Sequence, residues 1–155
     1  VITPEVDALR MKFNLAGMKI LQFAFSGESD NPYLPENHTV NSVVYTGTHD
    51  NDTTLGWLES LTPEQRLYIS SKLGVEENEI PDALIQCTLA SIAELAIIPM
   101  QDILELDGTH RMNTPGTTEN NWQWHFQWKQ LSSKYVTQLT RLIEQSNRQC
   151  RKKGL

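Results

Sequence analysis

The sequence has little cysteine, a small share of basic residues and no long apolar run. Cys87 and Cys150 are far apart and form no C-x-x-C pair, so neither a disulfide framework nor a zinc knuckle is indicated. The 13 basic and 19 acidic side chains give a net charge of -6, which argues against nucleic acid or an anionic membrane as the main partner. A neutral substrate fits this charge better.

Membrane insertion and export are not expected either. No stretch of about 18 uncharged apolar residues is present, which a membrane-spanning helix would need. The first residues have neither the basic nor the apolar region of a secretory leader. We therefore expect a soluble protein that stays in a reducing compartment.

The 155 residues, 39% of them apolar, have the bulk of one globular domain with a core of moderate size. We expect residues 1–155 to form a single unit. The sequence has no initiator methionine, and Thr3 and Pro4 are typical of a helix that begins almost at once. The chain is therefore expected to be a piece of a longer polypeptide.

Helices and strands alternate in the predicted order of elements. Helices are predicted from residue 3 to about 13, over 53–61, from 62 to near 74, over 81–95 and from 131 to 147, and strands over 18–25, 42–46 and 96–100. This alternation predicts an α/β fold with parallel strands and right-handed crossovers. Three strands with this much helix correspond to an incomplete barrel or an incomplete doubly wound sheet, since a complete eightfold barrel needs roughly 250 residues.

The second predicted strand ends in a group of residues that can carry chemistry. Residues 43–54 read VVYTGTHDNDTT, so an apolar run stops at two carboxylates, an imidazole, an amide and several hydroxyls. In α/β barrels active sites are built at the carboxyl ends of the strands. We expect His49 to donate to sugar hydroxyls and Asp50 to stabilise positive charge on a sugar ring. For Asp52 and Thr53 we favour capping of the next helix.

A metal site built from His49, Asp50 and Asp52 is a less favoured alternative. Neighbouring residues seldom converge on one ion, and no second histidine stands at a helical spacing from the first. We therefore expect no metal at this loop.

A second polar and aromatic segment lies between residues 111 and 128. Asn113, in a Pro-Gly turn, is a candidate ligand for a saccharide. The aromatic residues of 122–128 stand at even spacing, and they either stack on sugar faces or form an apolar wall against the last helix. For most of the tryptophans we favour the wall, because large aromatic residues are usually well buried.

Four segments together resemble the 4-alpha-glucanotransferases called amylomaltases or disproportionating enzymes, which belong to the alpha-amylase superfamily of barrels. The segments are residues 17–25 (GMKILQFAF), 31–35 (NPYLP), 43–54 (VVYTGTHDNDTT) and 111–116 (RMNTPG). The resemblance extends from residue 1 to at least Trp124, and it corresponds to the C-terminal third of the family's usual length. It implies that the chain is the C-terminal part of a (β/α)8 TIM barrel, with parallel strands and covering helices.

The resemblance also implies a reaction, in which alpha-1,4-glucan segments pass between maltooligosaccharides or to glucose by a retaining double displacement. Asp50 matches the third carboxylate of the family, and His49 matches its substrate-binding neighbour. Phe23 resembles the aromatic residue that packs against the acceptor sugar, and Asn113 resembles a polar contact on the donor side. No metal or organic cofactor is implied. His125 departs from the family pattern, in which an arginine is expected.

Two catalytic carboxylates of the family have no match in the sequence. The nucleophile of the family lies in an Arg-x-Asp pattern that is absent here, and the acid/base lies in a Glu-Asp-Leu-Gly pattern that would end just before Val1. A retaining mechanism needs a nucleophile and a proton donor roughly 5 Å apart, and Asp50 cannot serve as both. The chain alone is therefore expected to be inactive and to need the N-terminal part of the same enzyme as its partner.

Two other functions stay open from the residues alone. One is a non-catalytic α/β module that binds a saccharide or a partner protein, and the other is a metal-dependent hydrolase that uses His49 and Asp50. For the location we expect the cytoplasm, with a plastid as the alternative.

Overall fold

A computed structural model describes residues 3–148, which form a parallel sheet and the helices around it. The strands are β1 (Gly17–Ile20), β2 (Ser42–Tyr45) and β3 (Leu95–Ile97), and the helices are α1 (Pro4–Lys12), α2 (Thr54–Ser60), α3 (Pro63–Leu73), α4 (Ile80–Ala90), α5 (Met100–Ile103) and α6 (Ser133–Gln145). Short 3-10 turns include Leu21–Phe23 and Gly108–His110. Cys150 lies outside the described residues.

The three strands run parallel in the order β1-β2-β3, which confirms the predicted α/β class. Tyr45, the last residue of the central strand, pairs with Ile20 on one side and with Ile97 on the other. The carboxyl ends of all three strands therefore meet at one edge of the sheet. Ligands of open parallel sheets bind at this edge.

The main core lies between the sheet and the helices α2 to α4. Its buried members are Leu21, Val44, Leu58, Ile69, Ile80, Leu84 and Ala93. A smaller cluster joins α4 to α6 through Ile85, Leu89 and Leu142. Burial of each leucine or isoleucine contributes about 1.5–3 kcal/mol. Since α4 supplies Ile80 and Leu84 to the main core and Ile85 and Leu89 to the smaller cluster, it is the central support of the helices around the sheet.

Local sequence signals explain where several helices begin and end. The Thr53 hydroxyl accepts a hydrogen bond from Gly56 N–H and caps α2, as predicted. The predicted capping by Asp52 is wrong, because its carboxylate accepts from the N–H of Thr53 itself and pairs with Arg111. Thr62 and Gln65 form the predicted capping box of α3. That helix ends at Gly74, whose φ of 70° lies in the left-handed region that glycine adopts readily.

Two predicted strands are shorter in the structure. β1 stops at Ile20, because the chain turns there to bury the Leu21 side chain completely in the core. β3 ends at Ile97, and Pro99 is the N-cap of α5. A proline has no N–H to donate, so it costs little at that position.

The predicted third helix also ends early. α4 stops at Ala90, five residues before the predicted end, and Ile92 is exposed. The reason is that residues 91–94 form a turn that carries the chain into β3.

The first helix presents its apolar residues to solvent. Val6, Leu9 and Phe13 have the predicted helical spacing, but each is more than half exposed, and α1 contains no buried residue. These residues therefore contribute nothing to the core within the described part of the chain. None of the helices in residues 3–148 is both long and apolar enough to cross a membrane.

Candidate functional site

A cleft of about 310 Å³ opens at the carboxyl edge of the sheet. Residues from three segments line it: Thr48, His49, Asn51, Asp52 and Thr53 after β2, Pro99 to Asp102 after β3, and Arg111, Met112, Trp122 and Trp124 from the long loop before α6. The loop predicted to carry chemistry therefore forms one wall of the cleft.

The wall after β2 is a turn fixed by its own hydrogen bonds. Asn51 N–H donates to the Thr48 carbonyl at 3.1 Å, and Asn51 Oδ1 accepts from both the backbone and the hydroxyl of Thr48. His49 and Asp50 occupy the two central positions of this turn. Their side chains project outward, and each is 54% exposed.

The Asp50 carboxylate has two polar neighbours. Asn113 Nδ2 donates to Asp50 Oδ1 at 2.7 Å, and His49 Nε2 lies 3.4 Å from the same oxygen. Three of the four predicted site residues are therefore brought together, although they lie up to 64 positions apart in the sequence. Asp50 stands beside the cleft, and His49 forms part of its wall. Within residues 3–148 the second oxygen, Oδ2, accepts no hydrogen bond from the chain, so it is available to a ligand hydroxyl.

Arg111 fastens the RMNTPG loop to the turn that carries Asp50. Its guanidinium donates to the Asp50 carbonyl at 3.0 Å and to the Asn113 carbonyl at 3.3 Å, and it pairs with Asp52 Oδ2 at 3.4 Å. A planar guanidinium offers several donors in fixed directions, so one side chain can hold both loops in a set geometry. Sequence reasoning placed Arg111 in a motif but gave it no such role.

Trp122 packs against the imidazole of His49. The two ring centroids lie 4.8 Å apart with an interplanar angle of 45°. Trp122 is 61% exposed, and its φ of 61° turns the chain away from the alternating pattern that its even spacing suggested. The expected apolar wall against the last helix is therefore not what Trp122 forms, since this residue lies at the cleft.

Phe23 occupies a different position from the other predicted site residues. It lies in the 3-10 turn after β1, is half exposed and packs edge to face on Tyr33 with centroids 5.5 Å apart. It shares the carboxyl edge of the sheet with the cleft but does not line it in the described part of the chain. Its contact with an acceptor sugar stays a prediction.

A buried carboxylate that sequence reasoning missed lies under the turn. Asp102 is 4% exposed, and its oxygens accept from Thr46 Oγ1 at 2.5 Å and from Thr54 N–H at 2.8 Å. Burial raises the pKa of the Asp102 carboxyl above its usual value, and the two hydrogen bonds act in the opposite direction. The sequence contains a signal for this residue, because Asp102 follows the third predicted strand at its carboxyl end, where site residues are expected.

Helix α2 approaches the 3-10 turn Gly108–His110 closely, and the contact requires glycine at both Gly56 and Gly108. A Cβ at Gly56 would lie 2.6 Å from Asp52 Oδ1 and 2.7 Å from the Gly108 Cα. The close approach holds Asp52 against this junction, beside the guanidinium of Arg111.

Gly56→Ala is therefore expected to lower the free energy of unfolding of the chain by roughly 2 kcal/mol, because the added carbon meets backbone that cannot move aside. Helix propensity alone predicts the opposite sign, a gain of about 1 kcal/mol. Urea unfolding of the 155-residue chain measures the difference. The control is Glu59→Ala on the exposed side of the same helix, and a stability gain for Gly56→Ala would contradict the close contact.

Residues 3–148 contain no group of three or more histidine, cysteine, aspartate or glutamate side chains arranged to hold a metal ion. The histidine and the carboxylates of the turn are instead engaged by Asn113, Arg111 and Trp122.

The geometry thus defines a class of site: carboxylate, imidazole, amide and indole groups at the carboxyl edge of a parallel sheet, a set suited to hydroxyl-rich ligands. A family model described as 4-alpha-glucanotransferase matches residues 1–132. The chain belongs to the 4-alpha-glucanotransferase family.

Individual relatives agree with this assignment. The chain is 46% identical over 156 residues to the 4-alpha-glucanotransferase of Thermus thermophilus, covering 96% of this chain and 31% of the relative. It is 50% identical over 125 residues to the chloroplastic/amyloplastic 4-alpha-glucanotransferase of Arabidopsis thaliana, covering 80% and 22%. The chain therefore spans at most about a third of the length of these relatives.

Solved structures show the same fold. The amylomaltase of Streptococcus agalactiae in complex with acarbose superposes with a TM-score of 0.89 at 32% identity, over 95% of this chain and 30% of that one. The amylomaltase of Corynebacterium glutamicum, 17% identical, gives a TM-score of 0.58 over 96% of this chain and 27% of that one, which supports the fold alone.

Proposed function

We propose that the chain supplies the C-terminal part of the catalytic (β/α)8 barrel of a 4-alpha-glucanotransferase. The enzyme transfers alpha-1,4-glucan segments between maltooligosaccharides or to glucose, with retained configuration. The observation that carries the proposal is the Asp50 carboxylate, held by Asn113 and next to His49 at the carboxyl edge of the sheet, in a chain of this family.

In this proposal Asp50 holds sugar hydroxyls and supports the positive charge that develops on the ring in the transition state. A fixed negative charge next to a developing positive charge lowers the free energy of the transition state. The protein does not need to reorganise during the step, because the charge is already in place. His49 donates to a sugar hydroxyl, with its ring orientation set by Trp122. Asn113 orients the carboxylate and reaches the donor sugar, and Phe23 packs on the acceptor sugar.

The nucleophile and the acid/base come from the rest of the enzyme. We call that part together with these 155 residues the full-length enzyme. Two features of the chain support such a partner. The apolar residues of α1 are exposed, and a sheet of three strands leaves the outer edges of β1 and β3 unpaired in the described structure. A closed barrel pairs such edges and covers such helices.

The chemistry needs no metal or organic cofactor in this proposal, because carboxylates alone supply the retaining mechanism. The location is the cytoplasm or a plastid. The Arabidopsis thaliana relative is named as chloroplastic/amyloplastic, and the Thermus thermophilus relative is bacterial.

The test is the full-length enzyme with maltotriose as the only substrate. Transfer produces glucose together with maltooligosaccharides longer than the substrate, and newly formed linkages keep the alpha configuration when followed by proton NMR. Glucose and maltose without any longer product would show hydrolysis and overturn the transferase. Beta-configured products would overturn the double displacement.

A further inference from the structure

The buried carboxylate of Asp102 bonds to the residues on both sides of segment 47–53, which contains the turn that carries His49 and Asp50. The Thr46 hydroxyl donates to Asp102 Oδ2 at 2.5 Å, and Thr54 N–H donates to Asp102 Oδ1 at 2.8 Å. Thr46 immediately precedes residues 47–53 and Thr54 immediately follows them. Both ends of the turn are therefore attached to a single side chain on α5.

This carboxylate is buried without a cation beside it. Asp102 is 4% exposed, and it forms no ion pair in the described part of the chain. A buried carboxylate is unfavourable unless the groups around it use its acceptor capacity. Here Thr46 and Thr54 use it, one oxygen each.

Capping of α2 does not account for Asp102. The hydroxyl of Thr53 already caps that helix by accepting from Gly56 N–H at 3.1 Å. Asp102 satisfies a different N–H of the same helix terminus, and in addition it bonds Thr46, the residue that directly follows β2. A helix cap needs only the first of these bonds.

The internal bonds of the turn fix its shape but not its place on the sheet. Thr48 and Asn51 bond to each other, so they move together with the turn. On the sheet side the turn is attached to the rest of the fold by Asp102 and by Gln22. Gln22 Nε2 donates to the Asp52 carbonyl at 2.9 Å, and Gln22 N–H donates to the Thr46 carbonyl at 3.3 Å. A displacement of about 1 Å at a reacting group can cost on the order of a hundredfold in rate.

We propose that Asp102 is a positioning residue for glucan transfer, which ties both ends of the Asp50 turn to α5 and keeps the Asp50 carboxylate where the transition-state charge develops. This inference rests on the proposed function. Asp102 is 4% exposed and bonds to Thr46 and Thr54, so it acts through these two residues. Since Asp50 acts mainly in the transition state, loss of its position lowers kcat more than it raises KM.

The experiment compares Asp102→Ala and Thr46→Val with Thr88→Val in the full-length enzyme. Thr88 is the matched control: it is fully buried like Thr46, and its hydroxyl donates to the Leu84 carbonyl at 2.8 Å within α4, away from the cleft. We expect kcat to fall about 10- to 100-fold in the first two variants, with KM changed less than about threefold. Thr88→Val keeps the kcat of the wild type.

Asp102→Asn separates hydrogen bonding from charge. The amide oxygen still accepts from Thr54 N–H, and the amide nitrogen donates to the Thr46 oxygen, so both attachments persist with one bond reversed. This variant is expected to retain at least about a third of the wild-type kcat. A fall to the level of Asp102→Ala would overturn positioning through these bonds.

Amide hydrogen exchange tests the attachment without any activity. The Asn51 and Thr54 N–H groups, bonded to Thr48 and Asp102, are expected to exchange at least about tenfold faster in Asp102→Ala and Thr46→Val, and unchanged in Thr88→Val. If the wild type shows no transfer, the proposed function fails. The amide exchange rates still test whether Asp102 attaches the turn to α5. If the wild type transfers but Asp102→Ala and Thr46→Val match Thr88→Val in kcat and exchange, the positioning role is overturned.

Discussion

Asp50→Asn in the full-length enzyme is expected to lower kcat for transfer from maltotriose about 10²- to 10³-fold, the loss typical of removing one preorganised electrostatic contact. The amide keeps the shape and can still accept from Asn113, so the turn retains its geometry. What disappears is the negative charge that, in the proposed mechanism, supports a positively charged sugar ring. Steady-state kinetics measures the change, and the loss falls mainly on kcat because the charge matters most in the transition state.

The fold is expected to survive this substitution. Asp50 is 54% exposed, and surface substitutions of this kind change the free energy of unfolding by about 0.5 kcal/mol or less. The matched control is Asp30→Asn, which makes the same change of charge at an exposed position in the loop after β1. If Asp50→Asn and Asp30→Asn were equally active in correctly folded protein, Asp50 would have no part in the mechanism.

The neighbourhood of Asp50 could be predicted because strand ends carry local information. The apolar run before Thr46 ends in polar residues, and this pattern alone placed His49 and Asp50 at the functional edge of a parallel sheet. Asn113 was predicted from its turn motif, and the structure brings its amide to Asp50. Their roles toward a sugar stay predictions.

The contacts that hold this group together could not be predicted in the same way. Asp102 and Thr46 are 56 positions apart, and their bond depends on β2 and β3 lying side by side with ends in register. Arg111 depends equally on where the long loop folds back. Periodicity describes which face of an element is buried, but it contains no information about which loops meet.

Trp122 shows why the structure of the aromatic segment differs from the apolar wall that its spacing predicts. Even spacing predicts one shared face only if the backbone stays extended, and a φ of 61° at Trp122 breaks that condition. A different local feature, without a positive φ, shortens β1, where Leu21 is buried and Gln22 reaches Asp52. Residues 21–23 form a 3-10 turn for that reason, and Phe23 is displaced from the strand predicted to carry it.

The 155-residue chain by itself is expected to release no measurable glucose from maltotriose, a loss of more than about 10⁴-fold relative to the full-length enzyme, as is typical when catalytic residues are removed. A retaining mechanism needs two carboxyl groups about 5–5.5 Å apart, one as nucleophile and one as proton donor. The carboxylates around the cleft have other partners: Asp52 pairs with Arg111, and Asp102 is buried beneath Thr46 and Thr54. Asp50 remains, and one carboxylate cannot perform both roles.

Assays of equal concentrations of the chain and the full-length enzyme measure this loss, and calorimetry with maltooligosaccharides adds a second outcome. Saccharide binding by the inactive chain would favour the binding-module alternative, since the cleft with His49 and Trp122 lies wholly within this chain. Absence of binding, together with self-association, would favour an open barrel, because the exposed apolar residues of α1 and the outer strand edges then pair with other copies. Glucose release at 1% of the full-length rate would mean that a residue of this chain supplies the proton, and the division of catalytic groups between the two parts of the enzyme would be wrong.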